Sequence, residues 1–98
     1  MRLDAHQHFW RYSPEQYPWI PKGSALAQDW LPTDLARLQE PLGFDGSIAV
    51  QAQQTVAETE WLLSLADEDP RVRGVVGWVD LQHDRVEDDL AQIGRAHV

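Results

Sequence analysis

Gly46-Ser47-Ile48-Ala49-Val50-Gln51-Ala52, followed almost at once by Thr55-Val56-Ala57-Glu58, is the stretch whose reading decides the fold. The first segment is uncharged and sets Ile48, Ala49 and Val50 in a row, the pattern of a strand buried on both faces. The second places a hydroxyl and, three residues on, a carboxylate, which fits a capping box at the start of a helix. Leu62, Leu65 and Ala66 give that helix its buried stripe, Trp61 stands at the edge of the stripe, and Pro70 lies just beyond the end. A strand leads straight into a helix.

The same alternation extends to both sides. Toward the C-terminus, Arg73-Gly74-Val75-Val76-Gly77-Trp78-Val79-Asp80-Leu81 reads as a further strand. Asp84-Arg85-Val86-Glu87 then opens a helix with Val86, Leu90 and Ile93 on one face. Toward the N-terminus, a strand over about residues 2–8 precedes a helix from Thr33 to Leu42, with Leu35, Leu38 and Leu42 as its apolar stripe and Gly43 as its stop. Three strand–helix units in strict succession predict an α/β fold with a parallel sheet covered by helices. Such folds gather their chemistry at the carboxyl ends of strands, where His6, His8, Gln51, Gln53, Trp78 and Asp80 collect here.

Residues 9–31, between the first strand and the first helix, carry Pro14, Pro18, Pro21 and Gly23 together with Trp10, Tyr12, Tyr17, Trp19 and Trp30. That composition predicts an aromatic loop with a function of its own, not a flexible linker. The formal net charge of −8, sixteen acidic residues against eight basic, disfavours nucleic acid and anionic membranes as partners. No apolar run approaches the ~20 residues of a membrane span. With no cysteine there is neither a disulfide nor a thiolate metal site, which suits a reducing, cytoplasmic setting.

His6-Gln7-His8 ends the opening strand. Alternation predicts that Asp4, His6 and His8 share one face while Leu3 and Ala5 meet the helices. Two imidazoles about 7 Å apart along such a face can converge on one divalent cation. The other reading makes them hydrogen-bonded core histidines. Asp4 could orient a ligand histidine through its second ring N–H, or be a buried carboxylate held by an arginine or lysine of a strand outside these residues. If the units close into a barrel, Ala49 and Gln51 face inward with Ile48 and Val50 outward, and Val76, Trp78 and Asp80 face inward. Gln51 offers a donor and an acceptor to a polar ligand or to a neighbouring loop. Trp78 reads as core or as a ligand platform, and Asp80 as a base, a ligand or a turn former. His83 reads as a solvated loop residue, His97 belongs to a patternless tail, and Asp67-Glu68-Asp69 and Asp88-Asp89 read as exposed faces.

Asp4-Ala5-His6-Gln7-His8-Phe9-Trp10, Tyr17-Pro18-Trp19-Ile20, Leu31-Pro32-Thr33-Asp34-Leu35, Val50-Gln51-Ala52-Gln53, Glu58-Thr59-Glu60-Trp61-Leu62 and Gly77-Trp78-Val79-Asp80-Leu81 together resemble the amidohydrolase superfamily. The branch they are most similar to is that of sugar-lactone hydrolases of the L-fuconolactonase or L-rhamnonolactonase type. The resemblance implies a (β/α)8 TIM barrel, which takes roughly 250 residues. Residues 1–98 are then expected to be the N-terminal three strand–helix units of one such domain, an incomplete barrel. It implies His6 and His8 as metal ligands for a divalent cation, zinc foremost, and Gln51, Trp78 and Asp80 as residues that bind a sugar lactone. The catalytic aspartate and further histidines would come from later strands, so no catalytic residue is expected among these 98 and the chain alone is expected to be inactive and to bind zinc weakly. In the implied chemistry a metal, or a histidine/arginine cluster in metal-free relatives, polarises the lactone carbonyl while the aspartate takes a proton from water. The aromatic loop would cover the sugar ring. A decarboxylase or amide hydrolase on the same barrel is the alternative enzyme. A non-catalytic α/β piece that self-associates through its exposed sheet edge is the alternative of another class.

Overall fold

The computed structural model describes residues 1–95; His97 lies outside the described residues. Strands β1 (Leu3–Gln7), β2 (Gly46–Val50) and β3 (Val72–Val76) lie side by side, all parallel, in the order β1-β2-β3. Helices α1 (Pro32–Gln39), α2 (Val56–Glu68) and α3 (Val86–Arg95) follow them in turn, α1 being extended by a short 3-10 turn over Glu40–Leu42. A parallel sheet that steps in one direction through right-handed crossovers sends every helix to the same face. Leu35 of α1 and Trp61, Leu65 and Ala66 of α2 accordingly pack on one core of Phe9, Ala49, Leu62 and Val72. Full burial of Leu62 alone is worth about 2 kcal/mol. One covered face and one bare face is the layout of barrel staves, and the expected three strand–helix units are all present.

The assignment of faces along the strands needs correction. Ala49, expected inward, is fully buried against Phe9 and Leu62 on the helix side, while Ile48 and Val50 are only half-buried. Ser47 and Ala49 are small enough to let helices approach the sheet closely. The branched Ile48 and Val50 are left to fill the other side, as branched residues do inside barrels. In β1 the register steps from Asp4 opposite Ser47 to Gln7 opposite Ala49, so one extra residue is accommodated as a bulge. Asp4 and Gln7 therefore both share the face of Ser47 and Ala49. Leu3 and Ala5 are exposed, contrary to the simple alternation. Beyond the bulge, Phe9 is buried in the core that the helices cover, and His6 and His8 are exposed together.

Helix ends follow from local chemistry. Pro32 begins α1, the Asp34 carboxylate accepts the Leu31 N–H at 2.9 Å, and Gly43 at φ +80° ends the 3-10 turn in the left-handed region. Only Leu35 of the anticipated α1 stripe joins the core; Leu38 and Leu42 are 66% and 64% exposed. At α2 the Thr55 hydroxyl accepts the Glu58 N–H at 3.1 Å as expected. The reciprocal half of the box is not made, because Glu58 bonds elsewhere. β3 ends at Val76, five residues before the expected Leu81, since Thr59 of α2 captures both backbone groups of Trp78.

Residues 9–31 form a second core. Trp10, Tyr17 and Ile20 are buried with Tyr12, Ala27, Trp30 and Ala52 against them. Trp10 and Trp30 exchange backbone hydrogen bonds at 3.0 Å, and the Trp10 indole N–H reaches the carbonyls of Gln28 and Leu26 at 2.9 and 3.2 Å. The aromatic side chains of this segment thus pack on one another.

Candidate metal centre

The bare face of β1 presents His6 and His8 with their Nε2 atoms 3.2 Å apart and their rings edge-on at 4.9 Å between centroids. Nδ1 of His8 lies 3.0 Å from the Val50 carbonyl. A carbonyl only accepts, so this contact calls for a proton on His8 Nδ1, and Nε2 of the neutral ring then turns its lone pair toward His6 Nε2. Two nitrogens bound to one tetrahedral zinc at about 2.0–2.1 Å stand about 3.3 Å apart. The pair already has that spacing, so its geometry and donor type fit a divalent cation shared between the two imidazoles. No third His, Cys, Asp or Glu joins them among the described residues.

Asp4 does not act on a ring nitrogen. Its Oδ1 accepts the backbone N–H of His6 at 3.1 Å, and its Oδ2 accepts the side-chain amides of Gln7 and, at 3.3 Å, of buried Gln39 from α1. The bulge is the physical reason: it turns the carboxylate away from the imidazoles toward the helix layer. What Asp4 supports is the backbone under His6.

The three residues expected at a ligand are not gathered at one point. Gln51 follows Val50 directly, and its N–H donates to the Val76 carbonyl at 2.8 Å. Its half-buried side chain makes no hydrogen bond to a described residue, so it keeps a donor and an acceptor beside the anchor of His8. Trp78 lies two strand spacings away, about 9–10 Å across the sheet from β1. It borders a cavity of about 250 Å³ with Thr59, Leu63, Val75, Leu90 and Ile93, between α2 and α3. Asp80 shapes a turn: its Oδ1 accepts the Gln82 N–H at 3.0 Å and its carbonyl accepts the His83 N–H at 3.1 Å. His83 is exposed, and its Nδ1 accepts the Arg85 N–H at 3.1 Å just ahead of α3.

Two residues near the pair escaped sequence reasoning. Glu58, 5% exposed, accepts the N–H groups of Ala52 and Gln53 at 3.0–3.1 Å. Burial pushes its carboxyl above the ordinary value, while those N–H donors and, less, His8 in its cationic form pull it down. Buried Tyr17 has its hydroxyl pushed up to about 12, first by burial and then by the negative charge of Glu58. In the sequence Glu58 stands in Thr55-Val56-Ala57-Glu58, which reads equally well as a helix cap, and opens the motif Glu58-Thr59-Glu60-Trp61-Leu62 without a role of its own. A larger cavity of about 520 Å³ runs between the aromatic segment and α1, bordered by His8, Phe9, Trp19, Trp30 and Leu35. Its size suits a small-molecule site.

The comparisons with known proteins agree with this geometry. An amidohydrolase family profile matches residues 3–95. The chain is 44% identical over 93 residues to an L-fucono-1,5-lactonase of Burkholderia multivorans, covering 94% of this chain and 31% of that protein. It is 37% identical over 95 residues to an L-fucono-1,5-lactonase of Burkholderia ambifaria, covering 96% and 33%. A crystal structure of an amidohydrolase from Burkholderia multivorans with bound zinc superposes with a TM-score of 0.87 at 44% identity, over 94% of this chain and 33% of that one. The chain thus spans about a third of the length of these relatives. A bare-faced parallel sheet, a bulged first strand with converging imidazoles, and a profile match over nearly its whole length make this chain a member of the amidohydrolase family.

Proposed function

We propose that the protein carrying this chain is a hydrolase that opens a sugar lactone of the L-fucono-1,5-lactone kind, with His6 and His8 as ligands to a divalent metal, zinc foremost. The observation that carries the reading is the 3.2 Å approach of the two Nε2 atoms on the bare face of β1. A cation bound there supplies Lewis-acid polarisation of the lactone carbonyl. The chain's own residues prepare that point. The Val50 carbonyl fixes the tautomer of His8, Asp4 holds the backbone N–H of His6, and Gln51 offers its amide to a hydroxyl or carbonyl of the sugar ring. The packed aromatic segment supplies a wall against which a sugar can lie, and exposed Trp19 (55%) is its free platform. Trp78 and Asp80 close the third unit through their bonds to Thr59 and Gln82, and belong to the same proposal as further residues that bind the lactone. A cytoplasmic setting belongs to the same reading, on the cysteine-free composition.

The test is hydrolysis of L-fucono-1,5-lactone and other aldonolactones by the intact protein, with metal content measured beside it. The expected result is ring opening without loss of carbon dioxide, and loss of both metal and activity in His6→Ala and His8→Ala. Release of carbon dioxide from unsaturated acids, with no action on lactones, would move the assignment to a decarboxylase. For the 98-residue chain by itself, the unpaired edges of β1 and β3 and the exposed Leu3 and Val76 support self-association through the sheet edge. A single monomer boundary in sedimentation would refute that part.

A further inference from the structure

Glu58 stands in the first turn of α2, yet the helix does not need its side chain, because Thr55 already caps that turn through the Glu58 N–H. Its carboxylate is instead buried beneath the turn that follows β2. Oε1 accepts from Ala52 and Gln53 at 3.0 Å each, and Oε2 accepts from Ala52 at 3.1 Å. Bonds from backbone N–H groups to a charged acceptor are stronger than neutral ones, especially away from water. The turn matters for what immediately precedes it. Gln51 is tied to β3 through the Val76 carbonyl at 2.8 Å, and Val50 presents its own carbonyl to His8 Nδ1 at 3.0 Å. The short run from Val50 to Gln53 is therefore held by β3 at one end and by Glu58 at the other: β3 grips the peptide plane that carries the Val50 carbonyl, and Glu58 holds the turn that leaves it.

We propose that Glu58 is a positioning residue for the His8 imidazole: by clamping the Ala52–Gln53 turn it fixes the Val50 carbonyl, which selects the Nδ1–H tautomer and aims Nε2 beside that of His6. The inference rests on reading His6 and His8 as a ligand pair. Partners that orient a ligand histidine in this way typically carry a tenfold or larger share of metal affinity. Glu58 touches neither metal nor substrate in this account; it acts through backbone.

The experiment is ¹⁵N spectroscopy of the histidine rings combined with titration by cobalt(II) as the metal probe. In the unaltered protein His8 is expected as a single Nδ1–H tautomer. Glu58→Ala is expected to give a mixture of tautomers and about a tenfold weaker cobalt affinity, with Glu58→Gln, which keeps one acceptor oxygen, recovering part of both. Thr55→Ala serves as the control: it removes the helix cap and lowers the melting temperature, but is expected to leave the His8 ring unchanged. A folded Glu58→Ala protein with the original tautomer would overturn the proposal, as would Thr55→Ala disturbing the ring equally. Should the Glu58 variants fail to fold, amide exchange in the unaltered protein decides, since unprotected Ala52 and Gln53 amides would rule the clamp out. Absence of cobalt binding with a tautomer that still depends on Glu58 would refute the ligand pair and uphold the positioning role.

Discussion

Thr59 Oγ1 donates to the Trp78 carbonyl at 2.7 Å and accepts the Trp78 N–H at 2.8 Å, so one hydroxyl on α2 replaces a whole ladder step at the end of β3. Thr59 is buried, and its removal would leave both backbone groups of Trp78 without partners. Thr59→Val, which keeps the shape and loses the hydroxyl, is expected to cost about 2–3 kcal/mol of stability. Chemical denaturation of the variant against the parent measures it. A loss below half a kcal/mol would mean that water satisfies Trp78 just as well.

Gly46 faces a harder limit. A Cβ there would run into the backbone carbonyl of Arg71, which also accepts the Ser47 N–H at 2.9 Å. The carbonyl cannot retreat without giving up that bond between β2 and the start of β3. Gly46→Ala is therefore expected to destabilise by about 1–3 kcal/mol although it adds a single methyl group. A comparable change at Gly23, whose Cβ would meet nothing within 4 Å, tests the contrast: its cost comes only from the backbone at φ +79°.

Tyr17 gives the fold a signature at high pH. Its hydroxyl is raised from 10.0 to about 12, so the folded state holds the proton more tightly than the unfolded chain does. The stability it contributes is complete below about pH 10 and is lost as pH rises from there to about 12, a change on the order of 2–3 kcal/mol. Ultraviolet titration of a Tyr12→Phe variant isolates the Tyr17 phenol and should show it ionising late, together with unfolding. Glu58→Gln removes the neighbouring negative charge and is expected to bring the titration earlier. Ionisation near 10 in the folded protein would contradict the buried placement.

The order of elements was legible because each strand and helix announced itself separately. Val56 to Glu68 has a cap, a stripe and a proline beyond its end; Gly43 stops the first helix where a left-handed residue is needed. The faces were less legible. A strand buried on both sides carries no alternation to read, so Ala49 and Ile48 could be exchanged, and their sizes decided the outcome only once helices had to approach. The bulge between Asp4 and Gln7 leaves no mark in composition, yet it alone turns Asp4 from the imidazoles to Gln39. His6 and His8 still come together because two residues of separation survive such a shift. Glu58 was missed because one spacing, hydroxyl then carboxylate, describes both a helix cap and a clamp on the preceding turn.

Trp10 offers a last expectation, for the aromatic segment. It is buried, stacks near Tyr17 and Trp19 with ring centroids 5.7 Å away in each case, and ties its indole N–H to the carbonyls of Leu26 and Gln28. Its backbone also pairs with Trp30, so both ends of the segment meet at this residue. Trp10→Phe keeps most of the apolar surface but strands two carbonyls, and is expected to cost about 1–3 kcal/mol. Trp10→Ala removes the centre of the second core and is expected to cost about 3–5 kcal/mol. The core around Leu62 does not include this cluster, so limited proteolysis of Trp10→Ala should cut within residues 11–29 before it cuts α2. Simultaneous cleavage of both would show that the two cores unfold as one.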